Sequence, residues 1–404
     1  MKRRLLKIFG GLLAVILVLA GPSLVFWVQW MMPSTALPED IGASSLSIGD
    51  ADTGLQAALA SILAEAREEV GAPSFSAAIA RNGELIWAGT NGFSNIESRT
   101  AAAPADLYRL GSATKPLTTI LLGRMIDAGI IDPSTKVGEI APDLPDQFRD
   151  VTIRQLASHT AGVRHYTQIP TWIPGRNESI TPAHYSSVKA GLELFIDDEL
   201  LFEPGEEFNY STFGFSVLGH AMEQASGLDF GTLLSQFVTA PLGVDLRLDD
   251  LTVDMPDRAS TYMTGKGKWN AAYPSDPSYK WAGGGIVARP QDLVMIGQAL
   301  LTDEFLNPAT REALWTPVAL QGSDTNPQNY GLGWRIDTST GTLGEDRPVQ
   351  LIHHGGTQMG GVAFWAIYPE LGISVAVISN TGDRAVRGSV QTTAYALVRA
   401  LVNR

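Results

Sequence analysis

The order of patterns along the chain restricts its fold most, because strand patterns near both ends enclose a helix-rich middle. Residues 74–93 alternate small or apolar side chains around Asn82-Gly83, a dipeptide that favours a tight hairpin turn. Residues 362–380 form a second hairpin pattern, which turns at residues 369–372. This order predicts an α+β fold, in which an antiparallel sheet is flanked by terminal helices and carries an all-helical inserted lobe over about residues 116–276. A binding site is then expected in the cleft between sheet and lobe.

The two terminal helices are predicted from the spacing of apolar residues. Apolar side chains recur at steps of three and four residues between positions 55 and 70, and a closing helix is predicted at about 385–402. One folded domain is therefore expected over residues 54–404. With 404 residues, of which 45% are hydrophobic, the chain can bury a large core.

The first 32 residues have the pattern of a membrane anchor. Four cations in MKRRLLK precede an uncharged run from Ile8 to Met32, and its 25 residues can cross a bilayer at about 1.5 Å per residue. The positive-inside rule then places the folded domain on the periplasmic or extracellular side of the inner membrane. The alternative is a signal peptide cut after the small residues at 18–20, which would release the domain. Both interpretations predict export, with residues 33–53 as a linker.

Charge and cysteine content exclude several classes of function. The formal net charge is −13 and no cluster of Lys or Arg follows residue 7, which argues against a nucleic-acid partner. The chain has no cysteine, so disulfides, thiolate metal sites and bacterial lipoprotein anchors are excluded.

Two serines stand three residues before a lysine, Ser112 before Lys115 and Ser186 before Lys189. Ser112 begins a predicted helix that ends at Gly129, so its hydroxyl and the Lys115 amine would share one face near unpaired backbone N–H groups. An alcohol needs a base to become a nucleophile, and Lys115 could supply one. A helix cap beside a surface charge is the structural alternative. Ser186 lies in a polar segment and is interpreted as a solvated helix start.

A tyrosine at a helix start is a candidate partner for the Ser112 hydroxyl. Tyr210 follows a Pro-Gly turn and precedes an apolar helix that ends at Gly227. The helix dipole and a nearby ammonium would both lower the pKa of its phenol. The alternatives are an ordinary core or surface tyrosine, with Thr212 as a simple helix cap.

The stretch HHGG is a candidate substrate-binding strand. His353 and His354 would face opposite sides of a strand, so they cannot share one metal ion, and no metal site is predicted. Gly355 and Gly356 allow a backbone to approach a ligand closely, which suits an oxyanion site, although a bulge at a strand edge would give the same pattern.

Six stretches occur in one order: GSATK, SHTAGVRHY, FEPG, YST, SYKWAGGG and HGG. Together they resemble the serine beta-lactamase-like family of class C beta-lactamases, D-alanyl-D-alanine carboxypeptidases and esterases, including its mitochondrial branch and bacterial relatives. The resemblance covers roughly residues 55–400 and implies an α/β sandwich with an all-helical lobe. It also implies that Ser112 accepts the acyl group and that Lys115 and Tyr210 activate the Ser112 hydroxyl. The N–H groups of Ser112 and Thr357 would then form an oxyanion hole.

Two residues depart from the pattern of the beta-lactamases. Thr212 stands where they have an asparagine that orients the side chain of the antibiotic. His354-Gly355-Gly356 replaces Lys-Thr-Gly, and a histidine is mostly neutral near pH 7, whereas a lysine would hold a substrate carboxylate. Weak or no beta-lactamase activity is therefore expected.

The sequence thus predicts an exported serine hydrolase, either a peptidase or carboxypeptidase or an esterase, that forms an acyl-enzyme on Ser112. The alternative is a non-catalytic envelope binding protein or filament-forming scaffold that retains the fold. No cofactor is implied. The expected partners are a small-molecule or peptide substrate and, through the N-terminal segment, the membrane, and both interpretations allow oligomerisation.

Overall fold

The computed structural model describes residues 32, 34–38, 47–49, 52–167, 177–265, 267–323 and 325–404. The predicted anchor at 1–32, apart from Met32, and most of the predicted linker lie outside these residues. Within the described ranges, no helix has both the length and the apolar character needed to span a membrane.

The strands of the described residues form one large sheet and two small ones. In chain order they are β1 (Thr35–Ala36), β2 (Ser47–Ile48), β3 (Ser74–Arg81), β4 (Glu84–Asn95), β5 (Thr100–Ala101), β6 (Tyr108–Arg109), β7 (Leu246–Leu248), β8 (Tyr262–Gly265), β9 (Lys268–Ala271), β10 (Ile286–Ala288), β11 (Arg335–Ser339), β12 (Val349–Gln358), β13 (Gly361–Tyr368) and β14 (Ile373–Ser379).

The α-helices range from one turn to five turns in length. In chain order they are α1 (Thr53–Val70), α2 (Thr114–Asp127), α3 (Val137–Ile140), α4 (Ile153–Ala157), α5 (Val188–Leu192), α6 (Thr212–Ser226), α7 (Phe230–Leu234), α8 (Ala240–Leu242), α9 (Trp281–Gly284), α10 (Pro290–Leu300), α11 (Pro308–Trp315) and α12 (Arg384–Val402).

The large sheet is antiparallel throughout and joins the two ends of the domain. Its order is β11-β12-β13-β14-β3-β4-β2, and β5 also pairs with β4. The predicted hairpin at Asn82-Gly83 is confirmed, and both turn residues have the positive φ angles, 52° and 87°, that this dipeptide tolerates. The sheet therefore forms only when the first strands meet the last ones.

The two faces of the sheet are covered by different helices. Alternate residues of β3 face opposite ways, so that Ala77 packs with the terminal helices α1 and α12, whereas Ala78 packs with the core of the helical region. Helix α10 contacts β14 and β3 on that second face. The α+β fold with terminal helices on the sheet is as predicted.

Two limits differ from the sequence-based expectation. The range 116–276 contains the helical lobe but also the short strands β7, β8 and β9, so its C-terminal part is not helical. The linker predicted at 33–53 is partly paired with the domain, since β1 pairs with β9 and β2 pairs with β4. Strand propensity does not predict these pairings, because β1 and β2 have only two residues each.

Candidate active site

Ser112 lies in a 3-10 turn, Gly111–Ala113, that leads directly into α2. Gly111 has a φ of 54°, a left-handed conformation that glycine adopts without steric cost. A Cβ on Gly111 would lie 2.9 Å from the backbone N of Thr357, because the end of β12 runs against this turn. The predicted helix start is confirmed, and it brings the Ser112 backbone next to the HGG strand.

The Lys115 amine is fully buried and held by three oxygen atoms. Its Nζ lies 2.6 Å from the carbonyl oxygen of Gly283, 3.1 Å from Thr212 Oγ1 and 3.3 Å from Ser112 Oγ. A neutral amine has two N–H donors and one lone pair. If Gly283 and Thr212 accept the two hydrogens, the lone pair is left for the Ser112 hydroxyl proton.

The electrostatics of the site favour this neutral amine. Burial lowers the pKa of Lys115 well below that of an exposed lysine, and the positive charges of Lys280 and Arg335 lower it further. The amine is therefore able to accept a proton at a pH where an exposed lysine could not.

Tyr210 belongs to the same site. Its phenol forms a hydrogen bond with Ser112, and its ring centroid lies 4.9 Å from Lys115 Nζ. The expected lowering of its pKa is wrong. Burial raises the pKa of Tyr210 to about 12, and this outweighs the opposite effects of the hydrogen bond and of Arg335. The phenol is therefore a proton donor at neutral pH.

Helix α6 is capped by Ser211, whose Oγ accepts the backbone N–H of Gly214 at 2.9 Å. Thr212, the cap considered from sequence, instead turns its hydroxyl towards Lys115. The cap is itself positioned by His159, a buried residue with a φ of 64°, whose Nδ1 accepts the Ser211 backbone N–H at 3.1 Å. In the sequence, His159 lies in the stretch SHTAGVRHY, and no local signal indicates this role.

His354 is buried and neutral. Its Nδ1–H donates to the carbonyl oxygen of Gly355 at 2.6 Å, so its Nε2 accepts from the Tyr330 hydroxyl at 3.0 Å. Burial and the nearby charges of Lys115 and Arg335 lower its pKa well below the usual range. This histidine therefore offers no positive charge where a lysine of the Lys-Thr-Gly pattern would.

The two glycines of HGG have different surroundings. A Cβ on Gly356 would overlap the carbonyl oxygen of Leu110 and lie 2.8 Å from the backbone N of Ala113, so only glycine fits there. A Cβ on Gly355 would meet nothing closer than 3.8 Å. Gly356 thus lets β12 lie directly on the turn that carries Ser112.

A buried charge network fixes the residues just before this turn. Arg109 forms an ion pair with Asp249 at 2.7 Å, and its guanidinium donates to the carbonyl oxygens of Met359 and Ser275. Asp249 also pairs with Arg258 at 2.8 Å. Arg109 thereby ties the nucleophile turn to the end of β12.

A cleft of about 850 Å³ opens at this point, between the sheet and the helical lobe. All eight site residues predicted from sequence meet here: Lys115 lies at its base, and the others line it, namely Ser112, Tyr210, Thr212, His354, Gly355, Gly356 and Thr357. Ser186 is elsewhere, exposed beside the cap of α5, and Lys189 pairs with Asp143. Across the described residues, no cluster of side chains could hold a metal ion.

Three cations in the cleft had no role in the sequence-based prediction. Among the described residues, Lys280, Arg335 and Arg387 line it together with one carboxylate, Asp337, which is paired with His353 at 2.8 Å. Their positions depend on the fold, and spacing along the chain gives no signal for them.

This cleft, with serine, lysine and tyrosine meeting between an antiparallel sheet and a helical lobe, defines a serine hydrolase of the beta-lactamase and transpeptidase type. The chain belongs to the Beta-lactamase family, whose sequence profile matches residues 59–400. It is 26% identical over 415 residues to the mitochondrial serine beta-lactamase-like protein LACTB of Mus musculus, covering 81% of this chain and 75% of that protein.

Two further relatives are enzymes by name. The chain is 25% identical to esterase EstB of Burkholderia gladioli, covering 88% of this chain and 96% of the esterase. It is also 25% identical to a solved D-stereospecific amidohydrolase from Streptomyces sp., with a TM-score of 0.67 over 84% of this chain and 98% of that one.

Proposed function

We propose that the protein is a peptidase, carboxypeptidase or esterase that forms an acyl-enzyme on Ser112 and has weak or no beta-lactamase activity. The observation that carries this proposal is the buried Lys115 amine, whose Nζ lies within hydrogen-bond distance of Ser112 Oγ, Thr212 Oγ1 and the Gly283 carbonyl oxygen. The names of the esterase and amidohydrolase relatives support an ester or amide substrate.

The chemistry has two acyl-transfer steps. Ser112 Oγ attacks the substrate carbonyl while its proton passes to Lys115, and the N–H groups of Ser112 and Thr357 stabilise the oxyanion. The Tyr210 phenol donates a proton to the leaving group and regains one from Lys115. Water then attacks the acyl-enzyme and gives one proton to the same pair. The bond between Ser112 Oγ and the acyl carbon breaks, and that proton returns to Ser112 Oγ as the acid product leaves.

Two residues, His354 and Thr212, support the expectation that beta-lactam hydrolysis is weak or absent. The neutral His354 lacks the permanent cation that would hold the antibiotic carboxylate, and the Thr212 hydroxyl is engaged with Lys115. A panel of D-amino-acid peptides, short acyl esters and a chromogenic cephalosporin tests this point. Fast turnover of the cephalosporin would contradict it.

A fluorophosphonate probe tests the nucleophile. We expect labelling of the native protein and of Ser186→Ala, and no labelling of Ser112→Ala. The Ser186 variant is the matched control, because that serine also stands three residues before a lysine but is exposed. A folded native protein that is not labelled would favour the non-catalytic scaffold instead.

We also propose that residues 1–32 anchor the protein in the inner membrane, with the folded domain outside the cytoplasm. The four cations before the uncharged run from Ile8 to Met32 support this proposal. The test is fractionation and protease treatment of spheroplasts that carry the full chain or a chain lacking residues 1–32. A full chain that stays protected in the soluble fraction would refute both anchoring and export.

A further inference from the structure

Lys280 is a buried lysine of the cleft, and the proposed acyl-transfer steps do not use it. It is 4% exposed and ends the 3-10 turn Ser278–Lys280, which leads into α9. Its Nζ lies 5.6 Å from the centroid of the Tyr166 ring and 5.2 Å from that of Tyr279. The residue lines the same cleft as Ser112, on the wall formed by the helical region.

Among the described residues, no carboxylate lies within ion-pair distance of the Lys280 amine. Asp249 is the carboxylate that acts on it, but Oδ2 of Asp249 is taken by Arg109 and Oδ1 by Arg258. Within the described ranges, no hydrogen bond or ion pair of Lys280 Nζ is found. A buried ammonium without an anion is costly, so a carboxylate of a ligand would be stabilised by pairing with it.

The charges around the cleft favour an anionic ligand. Arg335 and Arg387 also line it, and the guanidinium of neither forms an ion pair or a hydrogen bond within the part of the chain that the structure describes. The carboxylate among the described lining residues, Asp337, is already paired with His353. The cleft is thus positive in a chain whose net charge is −13, which attracts anions into it.

We propose that Lys280 is a specificity-determining residue that binds a carboxylate group of the substrate, so that acidic ester or amide substrates are preferred over neutral ones of the same shape. This inference rests on the proposed function of Ser112. Lys280 reaches the cleft from the side of Tyr166 and Gly284, whereas His354 lies on the sheet wall, so a carboxylate bound by Lys280 would lie at a different place from one held at the HGG position.

The preference depends on pH in a defined direction. Burial and the charge of Arg109 lower the pKa of Lys280 to about 7, while Asp249 opposes this shift. Lys115 and His165, which also face this amine, are themselves lowered by its charge. Lys280 is therefore charged below about pH 7, and the preference for acidic substrates is present there and declines as the pH rises.

Two matched pairs of esters test the proposal. The first pair is the 4-nitrophenyl monoester of adipic acid and 4-nitrophenyl hexanoate, which differ by a carboxylate in the acyl group. The second is 3-carboxyphenyl hexanoate and phenyl hexanoate, which differ by a carboxylate in the leaving group. The measured quantity is the ratio of kcat/KM, acidic over neutral, from pH 5.5 to 9, because this ratio cancels changes in the acylation machinery.

Lys280→Met removes the charge and keeps the apolar stem against the two tyrosine rings. We expect it to lower the ratio for one of the pairs by about 10- to 100-fold at pH 6, as expected for losing a hydrogen bond to a charged group. Which pair responds shows whether the bound carboxylate belongs to the acyl group or the leaving group. Lys189→Met is the control, because Lys189 is exposed outside the cleft and the variant has the same net charge.

Three results would overturn the proposal: equal losses of kcat/KM for acidic and neutral esters in Lys280→Met, no preference for acidic esters in the native protein, or a preference that only Arg335→Met abolishes.

A binding measurement tests the proposal without substrate turnover. Calorimetry on Ser112→Ala should show binding of monomethyl adipate but not of dimethyl adipate, and no binding when Lys280→Met is added. A native protein that binds the acid but is unlabelled at Ser112 would refute the proposed function and leave the anion site standing.

Discussion

Gly356→Ala is expected to separate the HGG strand from the nucleophile turn. The added Cβ would overlap the carbonyl oxygen of Leu110 and lie 2.8 Å from the Ala113 nitrogen, and both of these atoms belong to backbone. A carbon–oxygen contact needs about 3.3 Å, so the strand has to move by about 1 Å or more. Because Thr357 is the next residue, the same movement takes its N–H group away from Ser112.

Both the activity and the stability of Gly356→Ala should change. A misplacement of about 1 Å in a reacting group costs on the order of 100-fold in rate, and overpacking destabilises by about 1–3 kcal/mol. The assays are the rate of fluorophosphonate labelling at Ser112 and the free energy of unfolding in urea.

Gly355→Ala is the matched control for this experiment. Its Cβ would meet only ordinary contacts, with the carbonyl oxygen of Ala363 at 3.8 Å and a ring carbon of Phe364 at 4.0 Å. We expect a change in stability within about 0.5 kcal/mol and little change in labelling. If Gly356→Ala labelled as fast as Gly355→Ala, the contact between β12 and the turn would not set the oxyanion geometry.

Two further predictions concern charges. In the proposed mechanism Lys115 is a neutral base, so kcat/KM for a neutral ester should be high above the pKa of Lys115 and fall as the pH drops through it. Lys280→Met removes a neighbouring positive charge and raises that pKa, so this fall should move to higher pH, whereas Lys189→Met should not move it. Asp249→Asn leaves the buried Arg109 without its anion and should cost about 3–5 kcal/mol in urea unfolding. Asp245→Asn, whose partner Arg247 is 39% exposed, should cost about 0–1 kcal/mol, and equal losses would contradict this ranking.

Local patterns predicted the elements that carry the site. The Asn82-Gly83 turn, the start of α2 at Ser112 and the end of α6 at Gly227 each depend on the conformational preferences of a few neighbouring residues. The meeting of Ser112, Lys115 and Tyr210 was implied by the resemblance of several motifs, and the structure brings these residues together.

Properties that depend on distant residues could not be predicted in this way. The pKa of Tyr210 was expected to be lowered by a helix end, but its burial depends on side chains from other parts of the fold, such as Tyr330 and His354. The motif SYKWAGGG contains Lys280 but gives no indication of its importance, which depends on Asp249 being paired with two arginines. The spacing of residues along the chain predicts neither the raised pKa of Tyr210 nor the importance of Lys280.

The pairing of β3 with β14 has a consequence for biosynthesis. The Ser74 N–H donates to the Asn380 side chain 306 positions later, so the first strands emerge from the ribosome long before their neighbour exists. Long-range pairing of this kind is slow, and the unpaired edges of the first strands are prone to aggregation until the last strands have been synthesised. Because β12 is also synthesised late, a chain that terminates before it would contain Ser112 without the HGG strand. Such a fragment should have no hydrolase activity.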